Sequence, residues 1–460
     1  MKNRKFFSEF FLLAVPIMLQ ALTGTLLNIC DTIMVGKISE NAISAVTVSN
    51  KTFLIFSMFI FGVASGISMF MSQYYGANEN QNAKRTFKFG IQVCVAVAFI
   101  FIAMLVIGPQ YAIRLFVKGN GITVLGIQYI SIVRWSYLPY AINQICAVYF
   151  RVFKKQSLPM KISMISVVIN ILLNYVLIYG KLGMPILGIK GAALATLISR
   201  CMETAMLLTI LFFKDSGKEI FGEKIGALDK TKKMRIIKKI IPLMVNEGLY
   251  AIALSLIFRN YCIVSEANIP AVTVVDNVYD FVNVAFVGVS QAAGIIIGKV
   301  LGTGNMEIAK KTANRLLVIG VTTSVIGSCI IVGISGFVPM LFSLSGGVFA
   351  MATSLLRIKA IFSWSQGYGL TIYYILRAGG DVAAVLVLDG LFNLYGPLLV
   401  SSILAYFANF SIELVYLCTE ATYLMKIILG TWFYKRGRWC RNLLKGRKEK
   451  LLKEGGKTKY

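Results

Sequence analysis

The chain carries long, unbroken apolar runs, each near the roughly 20 residues that an α-helix needs to cross a bilayer. In hydrocarbon the backbone polar groups must be satisfied within the protein, which leaves only helices and closed barrels. Barrel strands alternate apolar and polar side chains. These runs do not alternate, so they predict helices. Twelve are read, at 10–35, 42–71, 87–108, 123–150, 162–180, 192–213, 240–264, 271–298, 316–338, 351–376, 383–406 and 414–434. The chain is 57% hydrophobic and only 15% charged, against about 25% charged in a soluble protein. The first run follows Lys2, Arg4 and Lys5. It exceeds the roughly 7–15 apolar residues of a signal peptide and has no small-residue cleavage pattern, so it reads as the first membrane helix.

A net charge of +27 invites a nucleic-acid reading, and the placement of the charge argues against one. Of the 47 Lys and Arg residues, 35 lie in segments that twelve spans would put on one side of the membrane. Only Lys37, Arg114, Lys118, Lys181 and Lys190 lie in the opposite loops. That asymmetry is the positive-inside pattern, and it places both termini in the cytoplasm of a multi-pass protein of the cell membrane. The basic stretch Lys445–Lys453 reads as an anchor on membrane lipid, with no nucleic-acid partner expected. Seven of the eight cysteines are scattered through the spans, without paired spacing, and they read as packing residues. There is no histidine, which removes the commonest catalytic base and metal ligand. No phosphate loop, nucleophile elbow or kinase-type motif appears, so an enzyme is not expected.

Compared with itself, the chain shows two copies displaced by 226 positions. Pro16 falls on Pro242, Ala45 to Val48 on Ala271 to Val274, and Gly62 on Gly288. Gly76 falls on Gly302, Ala83 on Ala309, Lys84 on Lys310, and Arg151 on Arg377. Each half holds six spans, an even number, so both copies cross the membrane in the same direction. The expected fold is an all-α membrane protein of twelve transmembrane helices, arranged as two six-helix lobes related by a parallel internal repeat. The expected divisions are a first lobe over 1–213, a polar linker over 214–239, a second lobe over 240–434 and a basic tail over 435–460.

Several segments together resemble the multidrug and toxic compound extrusion (MATE) transporters. They are Pro16 to Gln20 with Asp31 to Gly36, and Ser72 to Ala77 with Ala83 to Arg85. Leu187 to Thr196, reading Leu-Gly-Ile-Lys-Gly-Ala-Ala-Leu-Ala-Thr, resembles their fifth-to-sixth helix turn. Leu376 to Asp381, reading Leu-Arg-Ala-Gly-Gly-Asp, resembles their tenth-to-eleventh turn. The resemblance spans about 8–434 and implies a V-shaped pair of lobes and cation-coupled export.

A charge at the bilayer centre costs about 2.5–3.5 kcal/mol on insertion scales, which makes each intramembrane acid a candidate. Asp31 lies in the first span after Pro16, which removes a backbone hydrogen bond and can bend that helix. The resemblance carries the family's acidic coupling site onto Asp31, its bending proline onto Pro16, and further site positions onto Asn170, Asn174 and Thr196. Asn170 and Asn174 share a helix face. Their oxygens beside one carboxylate would suit Na⁺, although many relatives carry a second acid where this chain has Asn174. Interhelical hydrogen bonding is the alternative for both. Glu247, five residues after Pro242, falls on an acidic position that one family branch uses for coupling. That branch expects another acid where Gln366 stands. An interhelical salt bridge is the other reading of Glu247. Asp276 and Asp280, one turn apart, are candidates for cargo contact or structural pairing, with Arg259 or Lys51 as partners. Asp389, Glu203 with Arg200, and Glu420 with Lys426 read as packing or interfacial groups.

The resulting expectation is a secondary active antiporter. It would export organic, expected cationic, compounds in exchange for H⁺ or Na⁺ by alternating access, as a monomer without a cofactor. Asp31 would be the coupling group, with any bound Na⁺ held there. A flippase for a lipid-linked oligosaccharide or polysaccharide precursor is the alternative, with Lys51, Arg134 and Arg259 as candidate pyrophosphate contacts. A membrane-embedded transferase would need acidic metal-binding loops, whereas these loops are basic.

Overall fold

The computed structural model describes residues 3–36, 38, 40–114, 120–214, 220, 226, 228–264, 269–337, 346–407 and 410–443. Among the described residues there are no strands. The first half contains α1 (Asn3–Gly36), α2 (Glu40–Gly76) and α3 (Asn80–Ile107). It continues with α4 (Asn120–Val133 and Tyr137–Val152, joined by a 3-10 turn at Arg134–Ser136), α5 (Ser157–Tyr179) and α6 (Ile189–Lys214). The second half contains α7 (Lys230–Val264), α8 (Ile269–Gly302), α9 (Met306–Ile334) and α10 (Gly346–Ala378). It ends with α11, which runs from Val382–Val385 through π-helical turns at Leu386–Leu391 and Leu394–Leu398 to Leu399–Phe407, and α12 (Ile412–Ala421 and Tyr423–Arg436).

Ten of these spans are helices long and apolar enough to cross a membrane. The other two, α4 and α12, are each interrupted near their middle, at Arg134–Ser136 and at Thr422. Each expected span therefore has a helical counterpart. The last ten residues of the expected linker, 230–239, are the first turns of α7; most of the linker before them and the basic stretch Lys445–Lys453 lie outside the described residues. Pro16 and Pro242 both sit inside their helices. The seven described cysteines are free. Many large apolar side chains face outward, among them Ile107, Leu172, Val318 and Ile428. A hydrocarbon surround stabilises such a surface, whereas water would not.

The chain packs as two compact units. One consists of Leu12–Ser65 and Phe87–Asp229. Its core includes Val35, Ala45, Tyr129, Val133, Ile178 and Ala193. The α5–α6 turn is tight because Gly191 lies against the Leu177 carbonyl; an added Cβ would come within 2.5 Å of that oxygen. The other unit consists of Met1–Phe11, Gly66–Thr86 and Lys230–Tyr460. Its core joins α7, α8, α10 and α12 through Ile257, Val275, Leu356 and Tyr416. The end of α2 and the turn into α3 thus pack with the second half of the sequence.

Within this second unit the repeat is visible as a reciprocal contact. A Cβ on Gly76 would come within 1.8 Å of the Lys299 carbonyl oxygen, and one on Gly302 within 2.0 Å of the Gln73 carbonyl oxygen. Gln73 and Lys299 are themselves repeat counterparts, 226 residues apart. Ser72 and its counterpart Gly298 face each other, with the Ser72 Oγ 2.0 Å from where a Gly298 Cβ would lie. Such crossed contacts are what a local twofold relation between the two copies produces, and the backbones meet only because glycine stands at Gly76 and Gly302.

Gly302→Val should therefore force backbone to shift, destabilising the fold by about 1–3 kcal/mol, the usual cost of overpacking. Gly333→Ala, where an added Cβ meets nothing within 4 Å, serves as the neutral control. Thermal unfolding of the detergent-solubilised variants checks both.

Candidate functional site

In the first half, α1, α5 and α6 bring four of the expected site residues together. Asp31 is 5% exposed, while Asn170 and Asn174 are fully buried. The Asn174 Nδ2 donates to Asp31 Oδ1 at 2.5 Å and to Asn170 Oδ1 at 3.0 Å. Asn170 Nδ2 donates to Ser199 Oγ at 3.3 Å. Thr196, buried on the same face of α6, donates its hydroxyl to the Ala192 carbonyl at 3.0 Å. With both of its contacts made through nitrogen, Asn174 leaves its Oδ1 buried and without a hydrogen-bond donor. Among the described residues Asp31 forms no ion pair. Arg200, one turn after Thr196, instead donates to Ser136 Oγ at 2.9 Å and lies 3.9 Å above the Phe53 ring. The arrangement is a carboxylate beside an unpartnered amide oxygen, both buried, a donor set that a hard monovalent cation or a proton would complete.

A second polar chain crosses the same half one turn past Pro16. Arg151 donates to Gln20 Oε1 at 2.6 Å, and Gln20 Nε2 reaches Ser163 Oγ at 3.4 Å. Ser163 in turn donates to Glu203 at 2.5 Å. Glu203 is thus engaged through Ser163 on α5, in addition to the electrostatic influence of the neighbouring Arg200 that its spacing suggests.

The second half repeats this chain with charges in it. Arg377, the counterpart of Arg151, pairs with Glu247 at 2.7 Å, and Tyr373 also donates to Glu247, at 2.6 Å. Arg377 also touches the Tyr373 hydroxyl. Asn246, the counterpart of Gln20, reaches Asp389 at 3.4 Å, and Asp389 is the counterpart of Ser163. Asp389 pairs with Lys426 at 2.8 Å, and the Asn393 amide donates to its backbone carbonyl at 2.6 Å. Asp389 lies in the first π-helical turn of α11, where the Gly390 N–H is taken by the side-chain oxygen of Asn246 at 2.9 Å. A π-turn frees backbone groups in this way, and here a neighbouring helix satisfies one of them.

These contacts correct one sequence-based pairing, that of Glu420 with Lys426. Lys426 pairs with Asp389, and Glu420 pairs with Lys359 at 2.7 Å. The i,i+6 spacing of Glu420 and Lys426 does not align them on one face, whereas residues from α10 and α11 do reach them. Gln366 joins the Glu420 pair, donating to it at 2.8 Å and accepting from Tyr279 at 2.5 Å; Glu247 belongs to the separate chain through Arg377. Asp276 is half-buried and Asp280 exposed, both on α8. The residues that sequence reading missed are Gln20, Ser163, Asn246, Tyr373 and Lys359. The 226-residue offset separates Gln20 from Asn246 and Ser163 from Asp389, and it is the signal that could have found them.

The family model MatE matches residues 16–176 and 219–419. The chain belongs to the MatE family. Among its relatives, the probable multidrug resistance protein NorM of Idiomarina loihiensis is 22% identical over 402 residues, covering 84% of each chain. The protein of the same name from Haemophilus ducreyi is 25% identical over 380 residues, covering 80% of each. The fold matches a crystal structure of MATE in complex with MaL6, with a TM-score of 0.85 at 17% identity, over 94% of this chain and 96% of that one. It also matches a MOP superfamily transporter from Pyrococcus furiosus, with a TM-score of 0.85 at 18% identity, over 94% and 95%. The fold is therefore the twelve-helix, two-lobe MATE architecture. The chain is a multi-pass membrane transporter of small molecules, and not an enzyme.

Removing one partner of a buried ion pair strands the other. Arg377→Ala should destabilise the protein by about 3–5 kcal/mol by leaving Glu247 uncompensated. The double variant Glu247→Gln/Arg377→Met should lie much closer to wild type. Unfolding transitions of both in detergent, followed by size-exclusion fluorescence, test the difference.

Proposed function

We propose that this transporter is a secondary active antiporter for multidrug and xenobiotic efflux. It exports organic, cationic compounds across the cytoplasmic membrane in exchange for H⁺ or Na⁺ by alternating access, with both termini cytoplasmic. The observation that carries the coupling site is the contrast between the two halves. In the second half Glu247, Asp389 and Glu420 are each neutralised by a base. In the first half Asp31 has an amide for a partner and the unpartnered Asn174 Oδ1 beside it. An exchanging cation or proton needs a carboxylate that no resident base already neutralises, which favours Asp31 over Glu247. Asn170, Asn174 and Thr196 would shape its site, and bending of α1 at Pro16 would follow its loading. Relatives named for multidrug resistance support organic cargo. On this reading the protein works as a monomer, surrounded by membrane lipid and with no cofactor beyond the coupling ion. The flippase alternative gains little, since Arg134, one of its three candidate bases, donates to the Leu105 carbonyl at 3.0 Å and lies against Trp135.

The test is gradient-driven efflux of a fluorescent organic cation from proteoliposomes. Wild type should move the dye only under an H⁺ or Na⁺ gradient, and Asp31→Asn should fall to background while remaining folded. Unchanged efflux by Asp31→Asn would move coupling to Glu247. No efflux by folded wild type would turn the search to lipid-linked saccharides.

Asn174→Leu offers a finer measure, because it keeps the carboxylate and removes both the orphan oxygen and the amide N–H that Asp31 accepts from. The half-saturating concentration of the coupling ion should rise by about tenfold, the equivalent of one hydrogen bond of roughly 1–1.5 kcal/mol. A displaced Na⁺ dependence would identify Na⁺, and a displaced pH profile would identify H⁺.

A further inference from the structure

The segment after α12 does not leave the protein surface. Gly437 closes the helix in a left-handed conformation, φ 71°, and the chain turns back across the helix ends on the side that carries the basic loops. Trp439 is 1% exposed and stacks on Tyr434, with centroids 5.3 Å apart. Its backbone lies so close to Gly379 that a Cβ there would come within 1.8 Å of the Trp439 carbonyl. Arg441 donates to the carbonyls of Gly379 and Gly380 at 3.2 and 2.6 Å. Asn442 donates to the Gly302 carbonyl at 3.2 Å. The Leu443 N–H donates to Gln73 Oε1 at 2.7 Å, and Arg235 donates to the Leu443 carbonyl at 3.2 Å. Gln73 completes the ring by donating to the Ala378 carbonyl at 2.9 Å, and Lys239 adds a bond to Gly380 at 2.7 Å.

The acceptors form a pattern. Gly302, Ala378, Gly379 and Gly380 lie at or just past the C-terminal ends of α8 and α10, where helices leave carbonyls without intrahelical donors. Seven residues thus join three separate turns: α2–α3 through Gln73, α8–α9 through Gly302 and α10–α11 through Gly379 and Gly380. The α2–α3 turn comes from the first half of the sequence, and the strap fastens it at the place where Gly76 and Gly302 make their reciprocal contact.

We propose that residues 437–443 are a strap that holds the α2–α3, α8–α9 and α10–α11 turns together, and that it must release before the three turns can part. The proposal rests on the alternating-access reading above. While the strap is seated, parting α2 from α8 leaves the Gln73 side chain and the helix-end carbonyls without their present donors and acceptors. Release transfers those groups to water on the aqueous side, so the strap acts as a latch with a modest energy difference between its states.

Gln73→Cys/Leu443→Cys in a background free of the native cysteines places two thiols across the latch. Joined by oxidation or by a short bifunctional reagent in proteoliposomes, the pair should abolish efflux of the fluorescent organic cation, and dithiothreitol should restore it after oxidation. Undiminished efflux by the cross-linked protein overturns the proposal. If the reduced protein moves no cation at all, the antiporter reading fails separately, and the strap is then judged by amide exchange. Arg441→Ala, an exposed position that leaves the core intact, should speed hydrogen–deuterium exchange in residues 73–79 and 300–305 relative to wild type. Exchange unchanged in both segments overturns the strap whatever the cargo.

Discussion

A polar group in hydrocarbon must find its partner inside the protein, and most of this structure follows from that demand. It makes each span a helix, and it turns the exterior apolar. It also gathers the few intramembrane charges into shared chains. The π-turns of α11 meet the same demand locally: winding the helix wider frees the Gly390 N–H, and the Asn246 side chain takes it up. Arg377, Lys426 and Lys359 each meet an acid for the same reason. Asp31 and Glu203, in the first half, instead meet an amide and a hydroxyl.

The two halves use one plan with different chemistry. In each, a residue near the end of the fourth helix reaches the proline-bearing first helix one turn past its proline, and that helix reaches the fifth. The first half does this with Gln20 and Ser163, neutral groups that can exchange partners at small cost. The second does it with Glu247 and Asp389, buried charges held by bases. Breaking a buried ion pair is far costlier than exchanging a neutral hydrogen bond. The first half is therefore the more readily rearranged of the two, which agrees with coupling at Asp31.

Much of this was legible in the sequence. Apolar run length located the spans, and the 226-residue offset located the repeat. The grouping of Asp31 with Asn170 and Asn174 came from resemblance, and the structure brings their side chains into contact. What stayed hidden depends on helix rotation and on which helices adjoin. Glu420 and Lys426 look like neighbours along the chain, yet each turns to a different helix, and Lys359 gave no sign of its partner 61 residues away. Residues 437–443 were equally opaque, because they open the basic tail whose later stretch, Lys445–Lys453, reads as lying on lipid. Their role in packing depends on Trp439 and on carbonyls, which carry no sequence signal.

The reciprocal contact at Gly76 and Gly302 bears on ancestry. Gly76 meets Lys299 as Gly302 meets Gln73, and Ser72 meets its own repeat counterpart, Gly298. Two identical chains related by a twofold axis make contacts of this kind, with each patch meeting its own copy. A six-helix ancestor that inserted in one orientation could have dimerised through this surface before its gene duplicated and fused. Fusion would then have freed each copy to diverge, one holding its carboxylates with neutral partners and the other filling its interior with ion pairs.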